Sequence, residues 1–162
     1  MSELVIRRAV RADLSALPTL LDEADELHRR ALPWLFRQVE GIEQTAFREV
    51  YLSDPAHAVF LAQVGADSFA GVIYAFLRPL PRAPIVRPAT VAEIDLLVVK
   101  SSVRRQGIGK RLVSAALDWA NQHGASRTEL GVYEFNEPAR AFWASLGFAP
   151  LSSRLVRHAN GA

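Results

Sequence analysis

Between Val98 and Leu112 the chain reads Val-Val-Lys-Ser-Ser-Val-Arg-Arg-Gln-Gly-Ile-Gly-Lys-Arg-Leu. An apolar run gives way to a short polar turn, then arginines, then two glycines one residue apart at the head of an amphipathic segment. Gly107 and Gly109 carry no Cβ, so the backbone there can turn sharply and approach a ligand closely. If Ile108 opens a helix, its first N–H groups have no intrahelical partner and face the turn. Together with the helix dipole they make an anion site, and Arg104, Arg105 and Lys110 place full positive charge beside it. The chemistry this implies is phosphate binding, best matched by a pyrophosphate. The same residues would also suit an ordinary strand-to-helix turn with surface arginines.

Two familiar phosphate loops are excluded by single positions. A dinucleotide fingerprint needs Gly or Ala three residues after Gly109, where Leu112 stands. A P-loop needs Gly five residues before Gly109 and Ser or Thr after Lys110, where Arg104 and Arg111 stand. Just upstream, Glu93 and Asp95 lie in an apolar strand. Carboxylates on the inward half of a central strand are costly, which singles these two out.

Arg104-Arg105-Gln106-Gly107-Ile108-Gly109 matches the pattern Gln/Arg-x-x-Gly-x-Gly/Ala. It resembles the acyl-CoA pyrophosphate loop of the GNAT superfamily of N-acetyltransferases. A second stretch, Asn136-Glu137-Pro138-Ala139-Arg140-Ala141-Phe142-Trp143-Ala144-Ser145-Leu146-Gly147-Phe148, is similar to that superfamily's pattern Asn-x-x-Ala-x-x-Phe-Tyr-x-x-x-Gly-Phe, departing from it at Trp143. The resemblance runs from about Val91 to Leu151. It implies acetyl-CoA as co-substrate, bound by Leu97, Val98, Val99, Arg104, Arg105, Gln106, Gly107, Ile108, Gly109, Lys110, Asn136 and Phe142. It also implies a bulge in the fourth strand, which splays from the fifth to admit the pantetheine arm. Backbone N–H groups near Val98 and Val99 would polarise the thioester carbonyl. Glu93, eleven residues before Arg104 as in histone-type members, is the expected base, with Asp95 as runner-up. Many members place a Tyr where Trp143 stands, as acid for the departing thiolate. An indole N–H is no usable acid at neutral pH, which leaves Tyr133 or water.

These residues need a frame. A first strand is expected over Leu4–Arg8. A helix capped by Ser15 should follow, with Pro18 in its first turn and Leu17, Leu20, Leu21, Ala24, Leu27 and Ala31 at helical spacing. Pro33 ends it. A helix over Gln44–Leu52 should turn Phe47, Val50 and Tyr51 inward. Strands are expected at Ala58–Val64 and Gly71–Leu77 around a hairpin turn at Gly65-Ala66-Asp67. A proline-rich loop, Pro79–Pro88, should precede a fourth strand over Val91–Val99, with Ile94, Leu96 and Val98 on one face and Glu93, Asp95, Leu97 and Val99 on the other. A helix over Gly107–His123 then buries Ile108, Leu112, Ala116 and Trp119, with Gly124 beyond its end. A fifth strand over Arg127–Val132, parallel to the fourth, a helix capped by Asn136, and one or two strands within Phe148–Val156 complete the chain. The fold class is α/β (α+β by some schemes): a mixed, mostly antiparallel sheet with a splayed parallel pair of fourth and fifth strands and helices on both faces. One domain spans residues 1–162.

Composition narrows the function. Half of the 162 residues are hydrophobic, enough for a sizeable core. There is no cysteine, hence no disulfide, thiolate nucleophile or zinc-thiolate site, and the four histidines lack metal-ligand spacing, so no metal is expected. Formal charge is +2 with no basic block, which disfavours nucleic acid. Without an apolar run of about 20 residues or a signal segment, a cytoplasmic protein with no membrane partner is expected. The reading is acetyl transfer from acetyl-CoA to an amine on a small molecule, peptide or protein. Its rival is a CoA-binding regulatory module without turnover. Dimers are common among similar proteins, which makes a homodimer the candidate assembly.

Overall fold

The computed structural model describes residues 3–39, 49–65 and 68–159. These fall into two compact units that meet in sequence at Gly131 and Val132. The first unit holds a five-stranded sheet in the order β1 (Leu4–Arg8), β2 (His57–Val64), β3 (Ser68–Pro79), β4 (Thr90–Val99) and β5 (Arg127–Leu130). The first four strands pair antiparallel, and β4 and β5 pair parallel across a helical crossover.

Helix α1 (Leu17–Ala31) covers one face. Its Leu17, Leu20 and Leu21 are buried against Val59, Leu61, Val72, Tyr74 and Val98. Helix α2 (Ile108–Gln122) covers the opposite face and buries Ile108, Leu112, Ala116 and Trp119 as their spacing predicts. Gly71 on β3 permits this packing, because a Cβ there would lie 2.6 Å from the Val98 carbonyl oxygen and 3.2 Å from Leu112 Cδ1. Gly124 follows α2 as predicted: Ala125 N bonds Ala120 O (3.0 Å) and Gly124 N bonds Asn121 O (3.1 Å).

Several expectations are corrected. Ser15 caps nothing; it lies in a 3₁₀ turn, Arg11–Ala16, that precedes α1. The acceptor at that turn is Asp13, which takes the Val10 N–H at 2.8 Å and both guanidinium nitrogens of Arg7 at 2.8 Å. Residues 49–53 are helical, but Val50 faces solvent while Tyr51 packs inward; Phe47 and the start of that helix lie outside the described residues. The strands expected within Phe148–Val156 do not form: Leu151, Leu155 and Val156 are exposed, and a strand needs a partner edge. Among the described residues no helix is long and apolar enough to cross a membrane.

In the second unit, helix α3 (Glu137–Ser145) starts at Asn136, whose Oδ1 accepts from Ala139 N at 3.2 Å, with Pro138 in the first turn. Trp143 is buried edge-on to Phe142 and Phe148, at ring separations of 5.1 and 5.2 Å.

Candidate active site

The irregularity in β4 decides which side chains meet. On β3, Tyr74 pairs with Leu96 and Ala75 with Ile94, so Asp95 is an extra residue on β4. This bulge moves every residue before it to the other face. Glu93, opposite Phe76, therefore shares the α1 face with Leu96 and Val98, while Ile94 joins Leu97 and Val99. The face assignment expected from strict alternation is thus corrected by one inserted residue. Pairing with β5 covers only Val91 to Ile94 and ends at Leu130, short of the expected Val132.

Beyond Ile94 the β4 backbone has no neighbour in β5. Lys100 N donates to Ala70 O (2.9 Å). By the alternation of an antiparallel ladder, Val98 likewise turns its N–H and C=O toward β3, and Leu97 and Val99 turn theirs toward the open edge. Of the three residues expected to offer backbone to a ligand, Val98 is thereby removed: its main chain is engaged and its side chain is in the core.

The turn after β4 begins with a 3₁₀ segment, Ser101–Val103, and ends at Gly107, which precedes α2 with φ +79°. Arg105 also takes a left-handed conformation, φ +65°, which costs a β-carbon-bearing residue about 1–2 kcal/mol. Gly107 has no side chain to cap α2, and the first intrahelical bond is Arg111 N to Gly107 O (3.1 Å). The N–H groups of Ile108, Gly109 and Lys110 thus stand at the helix mouth. The three expected cations differ. Arg104 is engaged: Nε donates to Val99 O (2.9 Å) and Nη2 to Glu23 Oε2 (3.1 Å). Glu23 of α1 also accepts from Ser101 N (3.1 Å) and Ser101 Oγ (2.9 Å), which ties the turn to α1. Arg105, Gln106 and Lys110 are exposed, and neither cation has an ion-pair partner among the described residues.

The two carboxylates also differ. Glu93 is ion-paired with Arg78 Nε, and Arg78 Nη2 reaches Glu129 Oε2 at 2.8 Å, so one guanidinium ties β3, β4 and β5 together. Asp95 lines a cavity of about 90 Å³ with Leu17, Leu21, Tyr51, Val59, Val72, Tyr74 and Leu96. One side of Asp95 is open to solvent, yet desolvation by the apolar walls, and then the Glu93 charge, hold its carboxyl above the usual range. Tyr74 is buried, with its ring stacked 4.1 Å from Tyr51. Burial, and then Tyr51 and Asp95, push its phenol up, so it keeps its proton. Its hydroxyl is hydrogen-bonded with His57 Nδ1 (2.6 Å), and Nε2 of that ring lies 3.6 Å from Asp54 Oδ2. Sequence reasoning missed Glu23, Arg78, Tyr74 and His57. The only signal was Tyr74 and Phe76 alternating in a strand that otherwise reads as core.

Tyr133, Asn136 and Phe142 belong to the second unit. Tyr133 is exposed and stacks on Phe135 at 5.8 Å, and the Oδ1 of Asn136 is used as the helix cap. Among the described residues no group of three His, Cys, Asp or Glu is arranged to hold a metal ion.

Comparison with known proteins places this geometry. The sequence model of the acetyltransferase (GNAT) family matches residues 21–148. The uncharacterized N-acetyltransferase YhfO of Bacillus subtilis is 28% identical over 143 residues, 88% of each chain. The tetramutant of the BH1408 protein from Bacillus halodurans superposes with a TM-score of 0.89 at 23% identity, over 95% of this chain and 99% of that one. Aminoglycoside N-acetyltransferase AAC(6′)-Iy, solved in complex with CoA, gives 0.73 at 18% identity, over 99% and 97%. At such identities the two structures share a fold with this chain.

Proposed function

Since the chain belongs to the GNAT acetyltransferase family, we propose that it moves an acetyl group from acetyl-CoA to an amine by direct attack on the thioester. One observation carries the reading. A single stretch of chain brings together an uncapped helix mouth, two uncommitted cations and a strand edge left open beyond Ile94. These features suit a ligand with a pyrophosphate at one end and an amide-bearing arm at the other.

Acetyl-CoA supplies the thioester carbonyl that is attacked and the thiolate that leaves. The N–H groups of Ile108, Gly109 and Lys110 would hold the pyrophosphate, with Arg105, Gln106 and Lys110 around it and Gly107 leaving the approach clear. Leu97 and Val99 would hold the arm through their main chain, and the Val99 N–H is the donor available to the carbonyl oxygen. Arg104 positions the Val99 carbonyl and does not serve as a free phosphate ligand. Asn136 and Phe142 retain the roles the resemblance gives them, in the second unit.

Asp95 is the better base. Glu93 is engaged in an ion pair with Arg78, whereas Asp95 lines the cavity with a carboxyl whose proton affinity burial raises, which suits a proton acceptor. Glu93 then acts on the reaction through its charge on Asp95. A thiol has an unperturbed pKa of about 8.5, so the thiolate can leave and take its proton from water, with Trp143 a core residue and Tyr133 dispensable. The test is thiol release from acetyl-CoA with a mixed amine panel, the acetylated amine identified by mass. CoA binding without amine-dependent thiol release would instead support the regulatory module.

A further inference from the structure

The cavity beside the bulge has a chemistry of its own. Among the described residues eight line it: five are Leu or Val, two are the stacked tyrosines Tyr51 and Tyr74, and the one charge among these eight is the Asp95 carboxylate. At about 90 Å³ it accommodates on the order of six water-sized groups. A ligand that fills it must therefore be short, largely apolar and singly charged. Hydroxyls placed against Leu17, Leu21, Val59 and Val72 would lose their water and find no partner in these side chains. Among the described lining residues a second ammonium would find no second carboxylate. A single ammonium would meet Asp95, and the faces of the tyrosine rings would favour it further.

The geometry points to this cavity as the acceptor subsite, taking a primary ammonium on a short aliphatic stem: the stem lies between α1 and β3, and the ammonium sits at Asp95. This deepens the proposed function and rests on it. The carboxylate takes one proton from the ammonium, the neutral amine nitrogen forms the new C–N bond to the acetyl carbon, the C–S bond breaks with its electron pair leaving on sulfur, and the second proton of the attacking nitrogen passes through water to the thiolate, which leaves a neutral amide and a thiol.

The experiment uses the full chain, acetyl-CoA, and four amines compared by kcat/KM: isoamylamine and n-butylamine as apolar monocations, putrescine as an apolar dication, and glucosamine as a polyhydroxylated monocation. The two apolar monocations are expected to exceed the other two by at least tenfold. Leu96→Trp, which intrudes on the cavity, should raise KM for isoamylamine at least tenfold while CoA affinity by calorimetry stays within twofold. If glucosamine or putrescine matches or exceeds isoamylamine while CoA binds, the subsite assignment is overturned and acetyl transfer stands. Failure of the wild-type chain to bind CoA would overturn both. The four-amine comparison needs no variant, so it decides the matter even if Leu96→Trp does not fold.

Discussion

Glu93 and Asp95 stand two residues apart on one strand, and their partners give them different chemistry. Asp95→Asn is expected to lower kcat by roughly 10²-fold, the range for a lost acid–base group. Glu93→Gln should cost less, about tenfold, because its effect passes through Asp95. The Asp95 shift also fixes a stability effect. Its folded carboxyl binds protons more tightly than the unfolded one, so stability falls as pH rises from the unfolded value through the raised folded one. Asp95→Asn should therefore raise Tm at pH 7, and the gain should vanish near pH 3, where both states are protonated; calorimetric melts at the two pH values check this. Tyr133→Phe should change kcat by less than about tenfold, and a hundredfold fall with CoA affinity intact would make Tyr133 the acid. Arg105→Ala should weaken CoA binding by about three- to tenfold, with the loss shrinking at high salt.

At the scale of elements, the open edge depends on how closely α2, β3 and β4 approach at Gly71. Gly71→Ala would set a Cβ against the Val98 carbonyl and Leu112. Such overpacking costs about 1–3 kcal/mol and should displace the backbone that ends in Val99. Urea denaturation should report the first effect, and calorimetry should show weaker CoA binding as the second. Much of this level was legible in the sequence. Prolines, glycines and apolar spacing located α1, α2, the proline-rich loop and all five strands to within a few residues. The bulge was not legible from composition, because an inserted residue appears only once β3 fixes a register against β4; until then alternation placed Glu93 on the wrong face. Nor could the Arg78–Glu93 pair be read, since the Pro79–Pro88 loop separates its halves. Ser15 looked like a cap because Asp13 could not be seen to have Arg7 beside it. Asp13 is buried, and Arg7 holds its carboxyl below the usual range, first through their hydrogen bonds. Its contribution is thus present above the unfolded value and lost as pH falls through the folded one. Asp13→Ala should cost about 2–3 kcal/mol at pH 7.

For the molecule as a whole, both signatures lie where the resemblance put them, one in each compact unit, and the family match spans them. The turn over residues 104–109 was legible as a strand-to-helix turn because glycines and helix position announce backbone shape. The cavity at Asp95 was not, because it is built from ordinary core residues on α1, β2, β3 and β4 whose convergence is a property of the fold. The central claim is that CoA is held at the mouth of α2, and titration calorimetry of CoA into the wild-type chain and Gly109→Asp tests it most directly. Gly109 lies in the first turn of α2, where an aspartate suits the helix, so the variant should fold with an unchanged circular dichroism spectrum. Its carboxylate would stand where the pyrophosphate belongs. Binding by the wild-type chain, weakened at least tenfold in the folded variant, is the expected result; equal affinity in both would contradict the claim.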